Sequence, residues 1–239
     1  MKKYLKVLNR QGKIKLGIVI FTILLNVLSW NSPLFSDWYI AHIMPIWIHT
    51  YSRFMSLFPI SVGEVLILLA LFVLLAGIVI FFLGFIHSDK LKNLRRQYGN
   101  VISWILVFVF LIQTLNCFIL YHASTFEEQH YSETAKDYGF EELSSLREHI
   151  VERLNSLSTQ FERNSENEII YNGDLYTKCR ESMQRLGEKY ANLSGYYPNP
   201  KKIYFSDFMS QQYLSGIYFP FTLEANYNTS MYIANVPFT

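Results

Sequence analysis

The chain has 239 residues, of which 51% are hydrophobic and 17% aromatic, and its formal net charge is only +2. Such an apolar composition argues against an ordinary soluble domain. The first 15 residues carry six Lys or Arg and no acid, whereas residues 122–239 are mildly acidic. This asymmetry favours membrane orientation over nucleic-acid binding.

Three apolar segments predict transmembrane helices, at residues 16–30, 65–86 and 101–121. A helix needs about 20 residues to cross the hydrocarbon core, so the first span must be extended at its ends. That span also has the basic flank of a cleaved signal peptide. The bulky Trp30 and the lack of an Ala-x-Ala pattern favour an uncleaved anchor instead.

A further segment, residues 37–60, is apolar enough to suggest a fourth span. Arg53 lies within it, and an Arg near mid-bilayer costs about 2.5–3.5 kcal/mol on insertion scales. Tryptophans and tyrosines in the same segment are typical of the headgroup level. We therefore expect an interfacial segment, broken near Pro45. If it did span, the C-terminal domain would lie on the opposite side.

Basic residues predict the sidedness. They are dense before the first span and between the second and third spans, whereas the loop between the first two has only Arg53. Basic loops favour the cytoplasmic side. We therefore expect a cytoplasmic N-terminus, a membrane domain over residues 1–122 and an extracytoplasmic domain over residues 123–239.

The outer domain is predicted to be α+β. Apolar residues recur every three or four positions from Leu143 to Phe161, and again from Leu175 to Leu193, which predicts two helices packed as a hairpin. Asp174 is the expected N-cap of the second helix. Short strands are predicted at residues 203–206, in "GIYFPF" and in "MYIANV", and Pro220 excludes a central position in a sheet for the second of these.

A search for catalytic chemistry in these residues finds no HExxH pair, no Ser/His/Asp context, no Gly-rich phosphate loop and no CxxC. Cys117 falls in an apolar run and Cys179 in a polar helix, so we expect no disulfide and no metal site from them.

The chain nevertheless resembles a family of bacterial membrane proteins known as domain of unknown function 3810. The resemblance rests on three N-terminal spans, on "FPISVGEVL" and on the run "PNPKKIYFSDFMSQQYLSGIYFPFTLEANYN…VPFT". In that family an HExxH helix follows the "PFT" element, which implies a membrane-anchored, zincin-like zinc peptidase. Because this chain ends at Thr239, the resemblance predicts an incomplete, inactive catalytic domain. No zinc ligand is expected in these residues, and zinc only with a downstream HExxH.

The resemblance also implies a role for the aromatic stretch near residue 220. In zincins a strand beside the active-site cleft precedes the HExxH helix and pairs with an extended substrate. The expected cleft residues are Tyr218, Phe219, Phe221, Thr222, Glu224 and Asn226. The alternative is that the aromatics form core and that Glu224 caps or pairs within the domain.

The expected fold class is thus membrane α-helical with three transmembrane helices, followed by an incomplete α+β extracytoplasmic domain. The expected location is the bacterial cytoplasmic membrane, with the lipid bilayer and a peptide or protein substrate as partners and no nucleic acid. The main functional hypothesis is the anchor and N-terminal half of a zinc metallopeptidase. The alternative is a non-enzymatic membrane-anchored binding or scaffold module.

Overall fold

The computed structural model describes residues 9–83, 89–130, 138–165 and 174–229. The chain divides into two compact units, one of which combines Met1–Ser124 with Tyr176–Thr239 while the other is Thr125–Leu175. The division at residue 122 inferred from sidedness stays a prediction. The predicted strand "MYIANV" and the "NVPFT" end lie outside the described residues.

The first unit is mostly helical before its sheet. Up to Ser124, its α-helices are α1 (Arg10–Asn31), α2 (Pro33–His42), α3 (Met44–Trp47), α4 (Arg53–Met55), α5 (Val62–Leu83) and α6 (Asp89–Gln113). A π-helical turn, Ile48–Ser52, links α3 to α4. Another, Thr114–Phe118, continues α6 and leads to a 3₁₀ turn at Leu120–His122.

Three helices are long and apolar enough to cross a membrane: α1, α5 and the helix that runs from Asp89 to His122. Within the ranges that the structure describes, no other helix meets this standard. The three predicted membrane-length helices are therefore confirmed, although their bounds differ. The last helix begins well before the predicted residue 101, because the basic stretch after Asp89 consists of good helix formers such as Lys, Leu and Arg. Residues 84–86 of the second predicted span lie outside the residues that the structure describes.

Two polar contacts show that α1 and α6 run parallel. The ammonium of Lys15 donates to Oδ1 of Asn100 at 2.7 Å, and farther along both helices Nδ2 of Asn26 donates to Oγ1 of Thr114 at 2.8 Å. Interhelical hydrogen bonds of this kind stabilise helix packing where water is excluded.

Helix α5 runs antiparallel to α6. The hydroxyl of Tyr98 donates to the carbonyl of Val73, and the guanidinium of Arg95 lies 5.2 Å from the ring centre of Phe81. Moving forward along α6 therefore means moving backward along α5. As a result, α1 and α6 end on the side of the helix bundle where α5 begins. We call this side of the bundle the sheet end.

The segment predicted to be interfacial forms short helices instead of a span. Helix α2 starts at Pro33 behind Ser32, whose Oγ accepts from the backbone N–H of Phe35 at 3.3 Å. It ends at His42, and Pro45 lies in the first turn of α3, so the break predicted near Pro45 is present. The interfacial location itself stays a prediction.

Three strands form a small sheet near the C-terminus: β1 (Lys201–Lys202), β2 (Gly216–Phe219) and β3 (Glu224–Tyr227). The order is β1-β3-β2, with β1 parallel and β2 antiparallel to the central strand. The predicted strand in "GIYFPF" is confirmed as β2, and it lies at the edge and ends just before Pro220, as the proline required.

The prediction of a strand at residues 203–206 is wrong. The parallel pairing covers only Lys201 and Lys202, after which the N–H of Ile203 still donates to Tyr227 at 3.0 Å. The next two backbone N–H groups bind a carboxylate from α5, as described below, so they cannot continue the ladder. The chain then turns into a short helix, α7 (Ser206–Gln211), which precedes β2.

The buried core of the first unit lies at the sheet end. It consists of Tyr39, Met44, Ile119 and Leu223, which are 0–7% exposed. Leu223 comes from the turn between β2 and β3 and has a positive φ of 53°, a backbone conformation that is costly for a leucine. The packing of its side chain among helical residues offsets that cost and ties the sheet to the helices.

The second unit contains Phe126–His130 and a long helix, Phe140–Ser158, which we call the stripe helix because of its apolar stripe. It confirms the first of the two predicted tail helices, but none of its residues is buried. The second predicted helix is Leu175–Lys189, which begins directly after Asp174. The predicted hairpin between the two helices stays a prediction.

Candidate functional site

The sheet meets the bundle through an acidic side chain that caps a helix from far along the chain. The carboxylate of Glu224, at the start of β3, accepts the N–H of Gly63 at 2.8 Å and that of Val62 at 3.4 Å. The first N–H groups of a helix have no partner within the helix and carry partial positive charge, so an acceptor anion stabilises them. Glu224 thus caps α5 across 161 residues of sequence.

Lys201 completes this contact as a buried ion pair. Its ammonium bonds to the carboxylate of Glu224 and donates to the carbonyl of Met55 at 2.8 Å. The side chains of the pair are only 6% and 3% exposed. Burying two charges is costly unless each has further polar partners, which here are the helix N–H groups and the carbonyl. The arrangement therefore specifies one position of the sheet.

A second acid makes the reciprocal connection. Glu64, in the first turn of α5, accepts the N–H of Tyr204 at 2.8 Å and that of Phe205 at 3.2 Å. One carboxylate thus reaches from the sheet to the helix and the other from the helix to the loop after β1. Together they fix both ends of the connection between β1 and α7. We call Glu64, Lys201 and Glu224, with the helix start that they bind, the polar junction.

Close packing accompanies the polar junction. A Cβ atom added to Gly63 would lie 2.1 Å from Cδ2 of Phe219, so only glycine allows the ring of Phe219 to rest against the start of α5. The residue pair Phe219 and Glu224 is in register across β2 and β3. The same two strands therefore supply both the ring that packs against the helix and the carboxylate that caps it.

Two side chains from the helical part of the unit donate hydrogen bonds to the turn after β2. Tyr51 donates its hydroxyl to the carbonyl of Phe221 at 2.9 Å, and Nδ2 of Asn116 donates to the carbonyl of Pro220 at 2.8 Å. Burial, and the negative charge of Glu224, raise the pKa of the Tyr51 phenol above its ordinary value. Because a raised pKa keeps the hydroxyl protonated, Tyr51 remains a donor at neutral pH.

The polar junction lies within a region that a family model matches. The model of the family described as "Protein of unknown function (DUF3810)" matches residues 39–239. This chain belongs to the DUF3810 family. No curated protein matches the chain, and no solved structure does. The matched region contains residues 39–60 of the segment predicted to be interfacial, α5, the helix that ends at His122 and the whole sheet of this DUF3810 protein.

The six residues expected to line a cleft occupy different environments in this DUF3810 chain. Phe219, Thr222, Glu224 and Asn226 are buried, Phe221 is half-buried and Tyr218 is 41% exposed. Glu224 caps and pairs, as the alternative reading expected, although the helix that it caps belongs to the bundle. Of the six, Tyr218 on the edge strand is the most exposed, although burial of its phenol, and then the charge of Cys117, raise its pKa above the ordinary value. Their assignment to a substrate cleft stays a prediction.

Sequence reasoning did not find Glu64 and Lys201. One local signal was present, because Ser61 and Glu64 form the S-x-x-E pattern of a capping box, and Oγ of Ser61 accepts the N–H of Glu64 at 3.2 Å. The glutamate of such a box normally turns back to its own helix start, whereas here it binds Tyr204 and Phe205. Lys201 had no comparable signal, since its partner lies 23 residues away.

The described parts of this DUF3810 protein do not form a metal site. They contain no group of three His, Cys, Asp or Glu side chains placed to hold an ion. The two acids of the polar junction are occupied by backbone N–H groups and by Lys201. The expectation that zinc binds only with a downstream HExxH stays a prediction. Cys117 and Cys179 are both free thiols.

Proposed function

We propose that this DUF3810 chain is the membrane anchor and peptide-binding wall of a zinc-dependent peptidase. The observation that carries the proposal is that an edge strand, β2, pairs with β3, and that Glu224 of β3 fixes the sheet to a membrane-length helix through the polar junction. The expectation of peptidase chemistry comes from the DUF3810 resemblance, which is most specific at residues 201–239 and implies a zincin-like family. In such an enzyme, zinc would supply an activated water.

The edge of β2 offers a binding mode for an extended polypeptide. Its inner edge pairs with β3 over four residues, and among the residues described no other strand pairs with its outer edge. A peptide can add to such an edge through main-chain hydrogen bonds while exposed side chains select its sequence. Tyr218 is the exposed aromatic on this strand, so it is our candidate for peptide contact.

The orientation that we propose places the sheet outside the bacterial cytoplasmic membrane. Its support is the basic first turns of α6, with Lys90, Lys92 and Arg95 at the end of the bundle opposite the sheet. Labelling an exposed cysteine placed at Ser194 in intact cells with a membrane-impermeant maleimide tests this orientation. Labelling only after the cells are permeabilised would reverse it.

Zinc content and proteolysis test the enzymatic half of the proposal. The protein as encoded by its gene, purified from membranes in detergent, should contain about one zinc per chain and cleave unstructured casein. The chain of 239 residues by itself should bind casein without cleaving it. Absence of both zinc and cleavage from the protein made in its native host would contradict the peptidase.

A second candidate function is a non-enzymatic binding or scaffold module. It is favoured by the burial of Glu224 and Asn226, because the carboxylate of Glu224 caps α5 and Nδ2 of Asn226 donates to the carbonyl of Glu224 at 3.1 Å. A photo-crosslinker at Tyr218 separates the outcomes, with Tyr138, which is 66% exposed, as the control position. Crosslinking of casein at position 218 without hydrolysis or zinc would support the scaffold. Crosslinking of casein at neither position would contradict peptide binding at β2.

A further inference from the structure

Large aromatic side chains stand exposed beside the start of α5. Tyr204 is 88% exposed, Phe208 is 62% exposed and Phe205 is 49% exposed. All three belong to the short connection between β1 and β2, which we call the aromatic loop (residues 204–208). Exposed apolar groups concentrated in this way mark a surface that meets an apolar partner. None of the contacts of the polar junction uses these rings.

The polar junction sets the position of the aromatic loop along the membrane normal. Glu64 is the third residue of α5, and it holds the N–H groups of Tyr204 and Phe205 directly. A helix of 22 residues is about 33 Å long, close to the ~30 Å hydrocarbon core. If α5 crosses the bilayer, Glu64 lies within one helical turn of the core boundary. The rings then lie at the level of the headgroups.

The short helix in the loop has two different sides. Ser206 and Met209 are buried, and Oγ of Ser206 donates to the carbonyl of Ile203 at 2.8 Å. Phe208 projects away from this buried side and is exposed. The helix thus packs one side on the sheet and presents an aromatic ring on another. Aromatic rings with this placement are typical of the membrane interface.

We propose that Tyr204, Phe205 and Phe208 insert into the interfacial region of the bilayer that α5 crosses. The aromatic loop is then a second membrane contact, separate from the three long helices, and its partner is the lipid surface. It holds the sheet at the membrane surface, because the same loop continues into β1 at one end and towards β2 at the other. Continuity with α5 through Glu64 identifies the bilayer as the partner.

Site-directed spin labelling in lipid nanodiscs tests this depth. A nitroxide is attached at Phe208→Cys in a Cys117→Ala, Cys179→Ala chain, in nanodiscs of phosphatidylethanolamine and phosphatidylglycerol. Its relaxation should be enhanced more by oxygen than by a water-soluble nickel chelate, at a depth within about 5–10 Å of the headgroup level. The matched control is Asp207→Cys, about 100° around the same short helix, where the nickel chelate should dominate.

A second position guards against local misfolding of the first. Tyr204→Cys replaces a side chain that is 88% exposed, and its label should give the same preference for oxygen. Equal access of the nickel chelate to positions 204, 207 and 208 would overturn the proposal in favour of a water-exposed loop. Exclusion of both reagents from 204 and 208 would overturn it in favour of a protein cover. Neither outcome depends on peptidase activity.

Discussion

The polar junction and the stripe helix use charged and apolar residues in opposite ways. At the polar junction, Lys201 and Glu224 are buried and bind each other and the backbone. On the stripe helix, Leu146, Ile150 and Leu154 are about half exposed although their spacing suits a core. The polar junction specifies one arrangement of the sheet on the helix, because a buried charge has few acceptable positions. The stripe helix has a regular apolar pattern, yet none of its residues is buried.

The stripe helix depends on local sequence pattern, whereas the polar junction depends on contacts between distant residues. An apolar stripe forms a helix through local periodicity, and the stripe helix does so without burying any residue. A polar junction needs partners that are distant in sequence, and it forms only when the fold brings them together. We expect substitutions to have large effects where distant groups are buried together and small effects where only local pattern exists. Four substitutions, in order of expected effect, test this difference.

The largest effect is expected from Glu224→Gln. The change keeps the shape of the side chain but leaves the ammonium of Lys201 buried without its counter-charge, which costs about 3–5 kcal/mol. The measurement is the free energy of unfolding in detergent micelles, together with the resistance of the sheet to proteolysis. The matched control is Glu181→Gln in the exposed pair Lys178–Glu181, where about 0–1 kcal/mol is expected.

A double variant sharpens this prediction. Combining Glu224→Gln with Lys201→Met removes both charges, so most of the lost stability should return. Equal costs for the buried and exposed glutamates would contradict the assignment of Glu224 to a buried pair. Failure of the double variant to recover would show that helix capping, and not the unpaired ammonium, causes the loss.

The next effect is steric and concerns Gly63→Ala. The added Cβ would lie 2.1 Å from the ring of Phe219, so the sheet or the ring must move, at about 1–3 kcal/mol. Gly17→Ala in α1 is the control, because nothing lies within 4 Å of a Cβ at that position. Alanine there should be neutral or stabilising by up to about 1 kcal/mol. If both variants unfolded alike in a denaturant titration, the contact between β2 and α5 would be disproved.

The elements that depend on local sequence were predictable, and the element that depends on a distant partner was not. The three membrane-length helices follow from local apolar composition, and β2 follows from a short aromatic run that ends at a proline. The prediction of a strand at residues 203–206 failed because the backbone N–H groups of Tyr204 and Phe205 bind Glu64, from a helix 140 residues earlier. A sequence pattern carries no information about such a distant competitor.

The candidate site was predictable only in part. The aromatic stretch was identified and Glu224 was singled out, but its partner Lys201 and its receiving helix were not. The reason is physical, since a buried ion pair is selected by three-dimensional position and leaves no periodic trace in either strand. Ser61 and Glu64 carry the pattern of a local capping box for α5, but the sheet supplies part of the capping through Glu224.

A smaller effect is expected from Tyr51→Phe. Loss of the hydrogen bond to the carbonyl of Phe221 should cost about 0.5–1.5 kcal/mol at neutral pH. The raised pKa of Tyr51 also predicts a pH dependence. Its contribution is complete below the unfolded-state pKa of about 10 and is lost as pH rises through the folded-state pKa. Unfolding free energies measured at pH 8 and above pH 10 check both statements.

The control for the alkaline loss is Tyr138→Phe, at a ring that is 66% exposed. In the Tyr51→Phe variant the alkaline decline should be shallower than in the wild type, whereas in the Tyr138→Phe variant it should be unchanged. Identical alkaline profiles for the wild type and Tyr51→Phe would exclude Tyr51 as a source of the pH dependence.

The smallest effect is expected from Leu146→Ala on the stripe helix. Leu146 is 56% exposed, so truncation removes little buried surface, and alanine is the better helix former. Amide hydrogen exchange over residues 140–158 should change by no more than about 0.5 kcal/mol. Met209→Ala, at a side chain only 9% exposed beside the sheet, should cost about 2–5 kcal/mol and provides the contrast. A cost at Leu146 as large as that at Met209 would mean that the stripe helix is packed against a partner in the membrane-bound protein. Both regions would then depend on contacts with distant groups. They would differ only in the stage at which each becomes buried.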